Sequence, residues 1–575
     1  MNALTDPRFS DLVGGMPQTT FVEAFLLLSP SYFIVPYRDI HRPIHPFVEN
    51  LKQLKLLEER FDEFANNLAR IIRTRVAGGQ QLGLPEFTHL LACAASMADV
   101  PMAQQVWQAM KDHEVEPDTQ CYNHFMETHI WEGTFTGLEK YRMRVTPYSY
   151  EKRKHGYESQ GWSGYGTGRR SVRKIIRVLF QEMVDRAVPP NEETFANLLL
   201  GYCRGGWVPG MKDILRVTWN IDVDEVKAES DWSRLSEVKH NDPASPLYPT
   251  ERLLFAVAHA FGTNNDIDAA ISTVEFISAQ YKIPIPERVW MQLFEWAFVL
   301  SRRRFGRHKE QMSLGHISSL RVIDLFEKMT AEPHNVRPTM VVRCKLAKIA
   351  WDRKILRDYK AQMAAAYKIL KETRQRQLEA RSVIEAYMKR RRPQNDHTHW
   401  QSREFSDAIY TYDILRLHTT QQTEFMDKLA RNMLINRLWT GRNNYSWQRT
   451  LFPSMLEEWE DFLPKEFIFH MRTGLVYFHG DIGWGSAYRY SGKRIPIRRP
   501  TPHNDVEPGD EVNYIDDEFF WRAVLRLNPD IEPTSPSLRR LFDPVLRTET
   551  PLYVAGKTLD QGEQRSEHQT VMSSN

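Results

Sequence analysis

Eleven basic residues crowd the stretch from Glu139 to Arg177: Lys140, Arg142, Arg144, Lys152, Arg153, Lys154, Arg169, Arg170, Arg173, Lys174 and Arg177. Against three glutamates they give a local net charge of +8. Tyr141, Tyr148, Tyr150, Tyr157, Trp162 and Tyr165 are interleaved with them. Cationic side chains neutralise phosphates while flat rings stack on unpaired bases, so this mixture suits single-stranded RNA. The same composition also describes a solvated loop without a ligand, and the residues alone leave both readings open. Gly156, Gly161, Gly164, Gly166 and Gly168 do not make a phosphate loop, because the Gly-Lys-Ser/Thr end that would hold phosphate and magnesium is missing.

Enzyme chemistry finds little support elsewhere. Asp516-Asp517-Glu518 has the donors for magnesium, but acidic residues that open a helix are favoured by its dipole, and this is the simpler account. His397 and His399 stand in a polar segment with no cysteine or catalytic acid nearby and read as surface histidines. Cys93, Cys121, Cys203 and Cys344 lie far apart, which argues against a disulfide framework or a structural zinc site; Cys93 and Cys203 fall in apolar helical contexts and read as buried. No catalytic residue, metal or cofactor is expected.

A binding function then has to be carried by the elements that position such residues. The chain has 575 residues and 76 Lys+Arg against 73 Asp+Glu, a net charge of +3, so only the distribution of charge can be informative. From Pro85 to Asn123 the pattern is one helical hairpin and the start of another. Leu90, Leu91, Cys93 and Ala94 mark a first helix; Met102, Val106 and Met110 make the stripe of a second. The turn Glu116-Pro117-Asp118 follows, and the aromatic at Phe87 recurs at Tyr122, a two-helix period of about 35 residues.

Phe87-Thr88, Ala103, Val106-Trp107, Met110-Lys111, Val115-Glu116-Pro117-Asp118 and Tyr122-Asn123 together resemble a pentatricopeptide repeat. Related hairpins recur at Phe195 to Trp219, Leu254 to Tyr281 and Trp290 to Met329, and Val172 to Val184 followed by Val188-Pro189-Pro190-Asn191 resembles a second helix parted from its first by the basic insertion. The insertions, with the LLLSPSYFIVPYRDIHRPI segment, are similar to fungal mitochondrial ATPase expression proteins. The resemblance implies an all-α chain: a right-handed superhelical solenoid of helix-turn-helix repeats, with a long charged helix and a C-terminal mostly helical domain.

The expected organisation is an N-terminal helical cap over 1–80 and an irregular array over 81–350 with insertions at about 133–170, 222–249 and 301–317. A long basic helix over 351–393, a C-terminal mostly helical domain over 394–548 and a disordered tail over 549–575 follow. The cap rests on Leu51, Leu54, Leu57, Phe61, Phe64, Leu68 and Ile71 at helical spacing. Asp352 to Arg392 carries a net charge of +8 and reads either as a solvated helix crossing to the last domain or as an electrostatic arm. Phe467 to Phe478 has the pattern of a short hairpin, Lys493-Arg494 and Arg498-Arg499 make a basic patch, and six tryptophans are scattered from Trp400 to Trp521.

In the family that the chain resembles, the residue after the aromatic of a first helix and the residue after the closing proline read one base edge. On this chain those are Thr88 with Asp118, resembling a purine reader, and Asn123 with Asn191, resembling a pyrimidine reader. Thr88 is also read as a helix N-cap. Ala196 and Cys344 hold the same place in later repeats and suit base recognition poorly. Backbone or stacking contacts are expected from Arg142, Arg144, Lys152, Arg153, Lys154, Trp162, Arg169 and Arg170. The resemblance implies a monomer in the mitochondrial matrix or peripheral to the inner membrane. It would bind a single-stranded mitochondrial mRNA, with the mitoribosome or the inner-membrane translation machinery as further partners, and support expression of a transcript such as one for an ATP synthase subunit.

A protein-binding scaffold, acting as a respiratory-complex assembly factor or mitoribosome-associated component, is the alternative. The longest apolar run, Ala24 to Val35, is interrupted and too short to cross a bilayer, so no transmembrane segment is expected. The first fifteen residues carry one Arg and two Asp and do not resemble a targeting peptide.

Overall fold

Each first helix of the array carries apolar residues on more than one side, and each second helix carries a single stripe. That asymmetry dictates how they stack. The computed structural model describes residues 1–44, 56–136, 143–146, 171–229, 231–235, 237–389, 403–433, 466–471 and 474–479, with positions 455, 458–459 and 462–463. They are helical apart from one two-stranded sheet, in keeping with the all-α expectation. Two compact units are formed, residues 1–38 with 61–338, and residues 39–60 with 339–575.

The first unit opens with short helices α1 (Asn2–Thr5), α2 (Ser10–Gly15), α3 (Gln18–Leu26) and α4 (Pro30–Phe33); α5 (Val35–His41) begins in it, and α6 is Leu57–Ala77. The stripe Leu57, Phe61, Phe64, Leu68 and Ile71 is buried as its spacing predicts, whereas Leu51 and Leu54 lie outside the described residues. Arg75, fully buried, donates to the carbonyls of Val13, Gly14 and Met16 and lies 4.6 Å over the Phe21 ring. Residues 18–41 together have the length and hydropathy of a membrane-crossing helix, a longer apolar segment than the run from Ala24. They are divided among α3, α4 and α5, and Phe21 and Phe25 are fully buried, with Phe25 edge-on to His89 at 5.1 Å.

Five hairpins follow. They are α7 (Leu84–Met97) with α8 (Val100–Asp112), α9 (Thr119–Trp131) with α10 (Val172–Asp185), and α11 (Glu192–Arg204) with α12 (Val208–Trp219). After α13 (Val223–Ala228) come α14 (Glu251–Thr263) with α15 (Ile267–Tyr281), then α16 (Glu287–Ser301), a short α17 (Lys309–Met312) and α18 (Ser319–Thr330). The residues 133–170 separate α9 from α10 in sequence, yet the two pack as one hairpin. First helices α7, α9, α11, α14 and α16 pack on one another in an unbroken row. Second helices sit outside that row and bury narrow stripes, such as Ile176, Leu179 and Met183 on α10.

The same local signals start and stop these helices. Asp99, Asp118, Asn191 and Asp266 accept hydrogen bonds from backbone amides of the first turn at 2.8–3.1 Å. Second helices end on a residue in the left-handed region, Glu114, Ala187, Asn220, Lys282 or Asn335. An apolar residue then sends its amide back to the last turn: Val115 to Met110, Val188 to Met183, Ile221 to Leu215, Ile283 to Ser278 and Val336 to Met329. This reversal aims the chain at the next first helix.

The second unit contains α19 (Met340–Asp352), α20 (Leu356–Lys389) and α21 (Arg403–Met433). The helix α20 has 34 residues, about 50 Å at 1.5 Å each. It is neither a solvated crossing nor a free arm: Tyr359, Met363, Tyr367 and Leu370 are buried, and the Tyr359 hydroxyl donates to the Leu429 carbonyl at 2.6 Å. Where its sequence has no apolar residue, Thr373, Arg374 and Gln377 are buried instead. The hairpin expected near Phe467 is present as β1 (Glu466–Met471) and β2 (Gly474–His479), antiparallel, with Phe467 opposite Phe478. Asp516 to Glu518, His397, His399, the Lys493 to Arg499 patch, Trp400, Trp521 and the C-terminal tail lie outside the described residues.

Two substitutions test this packing with opposite signs. A Cβ on Gly262 of α14 would stand 2.4 Å from the Trp296 ring of α16, so Gly262→Ala is expected to destabilise the chain by about 1–3 kcal/mol. Ala187 has a φ of 55°, and Ala187→Gly is expected to stabilise it by about 0.5–1 kcal/mol. Urea midpoints at unchanged slope measure both.

Candidate nucleic-acid interface

Stacking the first helices brings the residue that caps each one beside a side chain from the helix before it. Thr88, half-buried on α7, donates to the Leu84 carbonyl at 2.8 Å and contacts the Cys121 sulfur at 3.2 Å. Asp118, also half-buried, caps α9 and accepts from the Cys121 amide at 2.8 Å. Thr88 and Asp118 thus each contact Cys121, Thr88 from the preceding first helix and Asp118 as the cap of the helix that carries it. Thr88 is not itself a cap. Gly83 holds that position, with its amide bonded to Glu86 at 3.0 Å.

The second pair is also brought together, across 68 residues of chain. Asn123 Nδ2 donates to Asn191 Oδ1 at 3.0 Å, and the Thr194 hydroxyl reaches Asn123 Oδ1 at 2.8 Å. Asn123 is fully buried, with both polar atoms of its amide bonded, so it presents no edge to a base. This corrects its assignment as a reader. Asn191 is half-buried, and its carbonyl oxygen already accepts from the Thr194 amide as well as from Asn123. Ala196 is buried, and in the next two repeats the same position, five after the capping residue, falls to Phe255 and Met291. In sequence these two directly follow the core residues Leu254 and Trp290, and periodicity alone does not mark them as functional.

Arg144 is the one described member of the predicted phosphate-contact set. Its guanidinium donates to Asn265 Oδ1 at 2.5 Å, to the Met312 carbonyl at 2.7 Å and to the Leu314 carbonyl. Alongside, the Val145 amide donates to the Thr263 carbonyl at 3.0 Å, and Asn265 Nδ2 to the Val145 carbonyl at 2.6 Å. Residues 143–146 thus strap the fourth hairpin to the fifth. Burial, with Arg304 nearby, pushes the Arg144 pKa down to about 10. These contacts occupy Arg144 with protein carbonyls, so its assignment to RNA is corrected. Arg142, Lys152, Arg153, Lys154, Trp162, Arg169 and Arg170 lie outside the described residues.

Between these pairs the first-helix face carries a compact charge network. His124, Glu127 and Glu193 place their ligand-type atoms within 4.8 Å of one another, the geometry of a candidate metal site. Arg252 donates to Glu193, however. Burial opposes the Glu127 charge, but His124, Arg252 and Arg38 outweigh it and hold the carboxyl below its usual range. Burial dominates at Glu193 and raises its pKa. Two carboxylates facing two guanidiniums need no added cation, and they offer phosphate nothing. The cysteines are free, and burial raises the Cys121 and Cys203 thiols to about 12, which leaves them unreactive.

Comparison with known proteins agrees with the repeat reading. Residues 192–311 match the family model described as mitochondrial ATPase expression. The pentatricopeptide repeat-containing protein 6, mitochondrial, of Schizosaccharomyces pombe is 20% identical over 219 residues, 38% of this chain and 43% of that protein. The match thus spans less than half the length of that curated relative. Among solved structures, the pentatricopeptide repeat protein PPR10 in complex with an 18-nt psaJ RNA element is 13% identical, covering 69% of this chain and 47% of that one, with a TM-score of 0.30. PPR10 from maize is 12% identical, covering 70% and 64%, with a TM-score of 0.18. The resemblance to pentatricopeptide-repeat proteins and to the mitochondrial ATPase expression family is therefore found by comparison as well as from the motifs.

A strap and a phosphate ligand behave differently when removed. Arg144→Ala is expected to lower stability by roughly 2–3 kcal/mol, because it strands the Asn265 amide oxygen and two carbonyls. It should leave the salt dependence of RNA affinity unchanged, where loss of a phosphate contact would reduce the slope. Chemical denaturation and binding titrations at several salt concentrations give the two readouts.

Proposed function

We propose that this chain is an RNA-binding protein of mitochondria that holds a segment of an organellar transcript and supports its stability, processing or translation. A transcript for an ATP synthase subunit is the first candidate, given the family described as mitochondrial ATPase expression that residues 192–311 match. The observation that carries the reading is the meeting of Thr88 and Asp118 around Cys121, which leaves an acceptor-rich pair half-exposed where two first helices join. A hydroxyl and a carboxylate that both border Cys121 suit a base edge that donates hydrogen bonds. In this reading the chain works as a monomer in the matrix, or peripheral to the inner membrane, beside the mitoribosome or the membrane translation machinery.

A second reading, a scaffold that binds protein, is favoured by a different surface. Phe305, Leu314 and Leu320, in and beside the residues that link α16 to α18, are exposed at 83%, 50% and 51%. Apolar side chains of this size in water are more usual at a protein contact than at a nucleic-acid one. Crosslinking the protein to RNA in its organelle and sequencing the attached RNA separates the two. Enrichment of one or two transcripts is expected, and background RNA with a stable protein partner would sink the RNA reading.

Base preference has its own test. Asp118→Asn preserves a good helix cap but exchanges a carboxylate oxygen for an amide donor. With Thr88→Asn it is expected to shift preference among short RNAs by about 1 kcal/mol or more, with general affinity and the salt slope little changed. Competition titrations with oligonucleotides that differ at one base measure the shift.

A further inference from the structure

Four rings from segments far apart in sequence stand in one row on the first-helix side of the array. Trp131, at the end of α9, stacks on Phe135 with centroids 6.1 Å apart and planes 21° apart. On its other side Trp131 meets His259 of α14 edge-on at 5.1 Å. His259 stacks on Phe255 at 6.0 Å and 18°. The row therefore bridges α9 to α14 past the intervening α11. A guanidinium lies over each end, Arg38 at 4.3 Å from the Phe135 centroid and Arg288 of α16 at 4.1 Å from that of Phe255.

Core packing alone does not explain this arrangement. The rings that build the core, such as Trp219 and Trp290, are fully buried, whereas Trp131, Phe135 and Phe255 are half-buried and Arg288 is exposed. His259 alone is sealed, and with Gln292 3.0 Å from its Nδ1 it anchors the row from beneath. Arg38 is likewise held in place, donating to the Ser96 carbonyl at 3.0 Å. What remains is a row of half-buried rings that ends on an exposed guanidinium, Arg288. The Arg288 guanidinium, exposed and 4.1 Å from the Phe255 centroid, is a flat group of the kind that can carry the next layer of a stack.

We propose that this row is a stacking platform for unpaired RNA bases, contacting them without regard to base identity. The proposal rests on the RNA reading above and names the contact that supplies affinity where edge-reading positions are absent. Every base has a flat face, so a ring or guanidinium plane accepts any of them. The position five after the capping residue thus changes task along the array, from hydrogen bonding at Thr88 to stacking at Phe255.

The test uses the full chain and fluorescein-labelled 20-mers of U, A and C, with binding followed by anisotropy. Phe255→Leu keeps an apolar side chain and is expected to weaken binding of all three by about tenfold, with an unchanged salt slope. Arg288→Ala, at an exposed position, leaves the fold intact and is expected to weaken binding of all three as well. Should wild type bind while Arg288→Ala and a folded Phe255→Leu bind equally well, the platform is overturned and the RNA reading stands. Absence of binding by wild type to these RNAs and to RNA extracted from mitochondria overturns both.

Discussion

The contact between successive first helices is the constraint on which the array depends. Leu90 and Leu91 on α7, Phe125 and Met126 on α9, and Leu198 and Leu199 on α11 are adjacent apolar residues that point to different sides, and all are buried. A helix of this kind in an isolated hairpin would leave one side in water, so it is stable only between two others. Everything else serves that row. The second helices shield it from outside, the left-handed reversals return the chain to it, and α3 and α4 cover its first member. Gly262 shows how closely the helices approach, because the Trp296 ring occupies the space a methyl group would need.

That same closeness decides which positions can meet a ligand. A side chain five residues after the cap lies at the seam between neighbours. When it is small or amide-bearing the seam closes over it, as at Ala196 and Asn123, and the polar atoms satisfy each other. When it is large and apolar, as at Phe255, it cannot be fully enclosed and a ring remains half-open. Thr88 is intermediate, its hydroxyl bonded to its own helix and in contact with Cys121 while the residue is half-buried. A uniform one-base-per-hairpin reader requires every seam to stay open to the same degree, and these seams differ.

Much of this was legible in the sequence because it depends on neighbours along the chain. The stripes Ile176–Leu179–Met183 and Val322–Leu325–Met329 follow helical spacing, and the Pro-marked turns ended the hairpins where expected. Even the hairpin interrupted by 133–170 was recognisable from its second-helix pattern. The left-handed positions were not, since Glu114, Ala187 and Lys282 are residue types that seldom mark such a turn. Nor could periodicity reveal Arg144 bonded to Asn265, or Trp131 against His259, where residues more than a hundred positions apart meet through the stacking itself. The charged helix misled for a related reason. Its interior layer of Thr373, Arg374 and Gln377 has the composition of a solvated face, and only the partner helix makes it a buried one.

On the proposed RNA-binding reading, affinity and selectivity have separate sources on this surface. At Glu127 and Glu193 the carboxylates are matched by Arg252, Arg38 and His124, so among the described residues this cluster offers phosphate no spare positive charge. Stacking can act beside them, because it needs flat surfaces rather than net charge. It adds affinity for every sequence alike and so contributes nothing to choosing a transcript. A single hydrogen-bonding pair discriminates by about 1–3 kcal/mol, roughly five- to 150-fold, which is modest against all the RNA of an organelle. On the RNA-binding reading proposed above, Thr88 and Asp118 would set the register of a bound RNA, and one such pair would not by itself select one transcript.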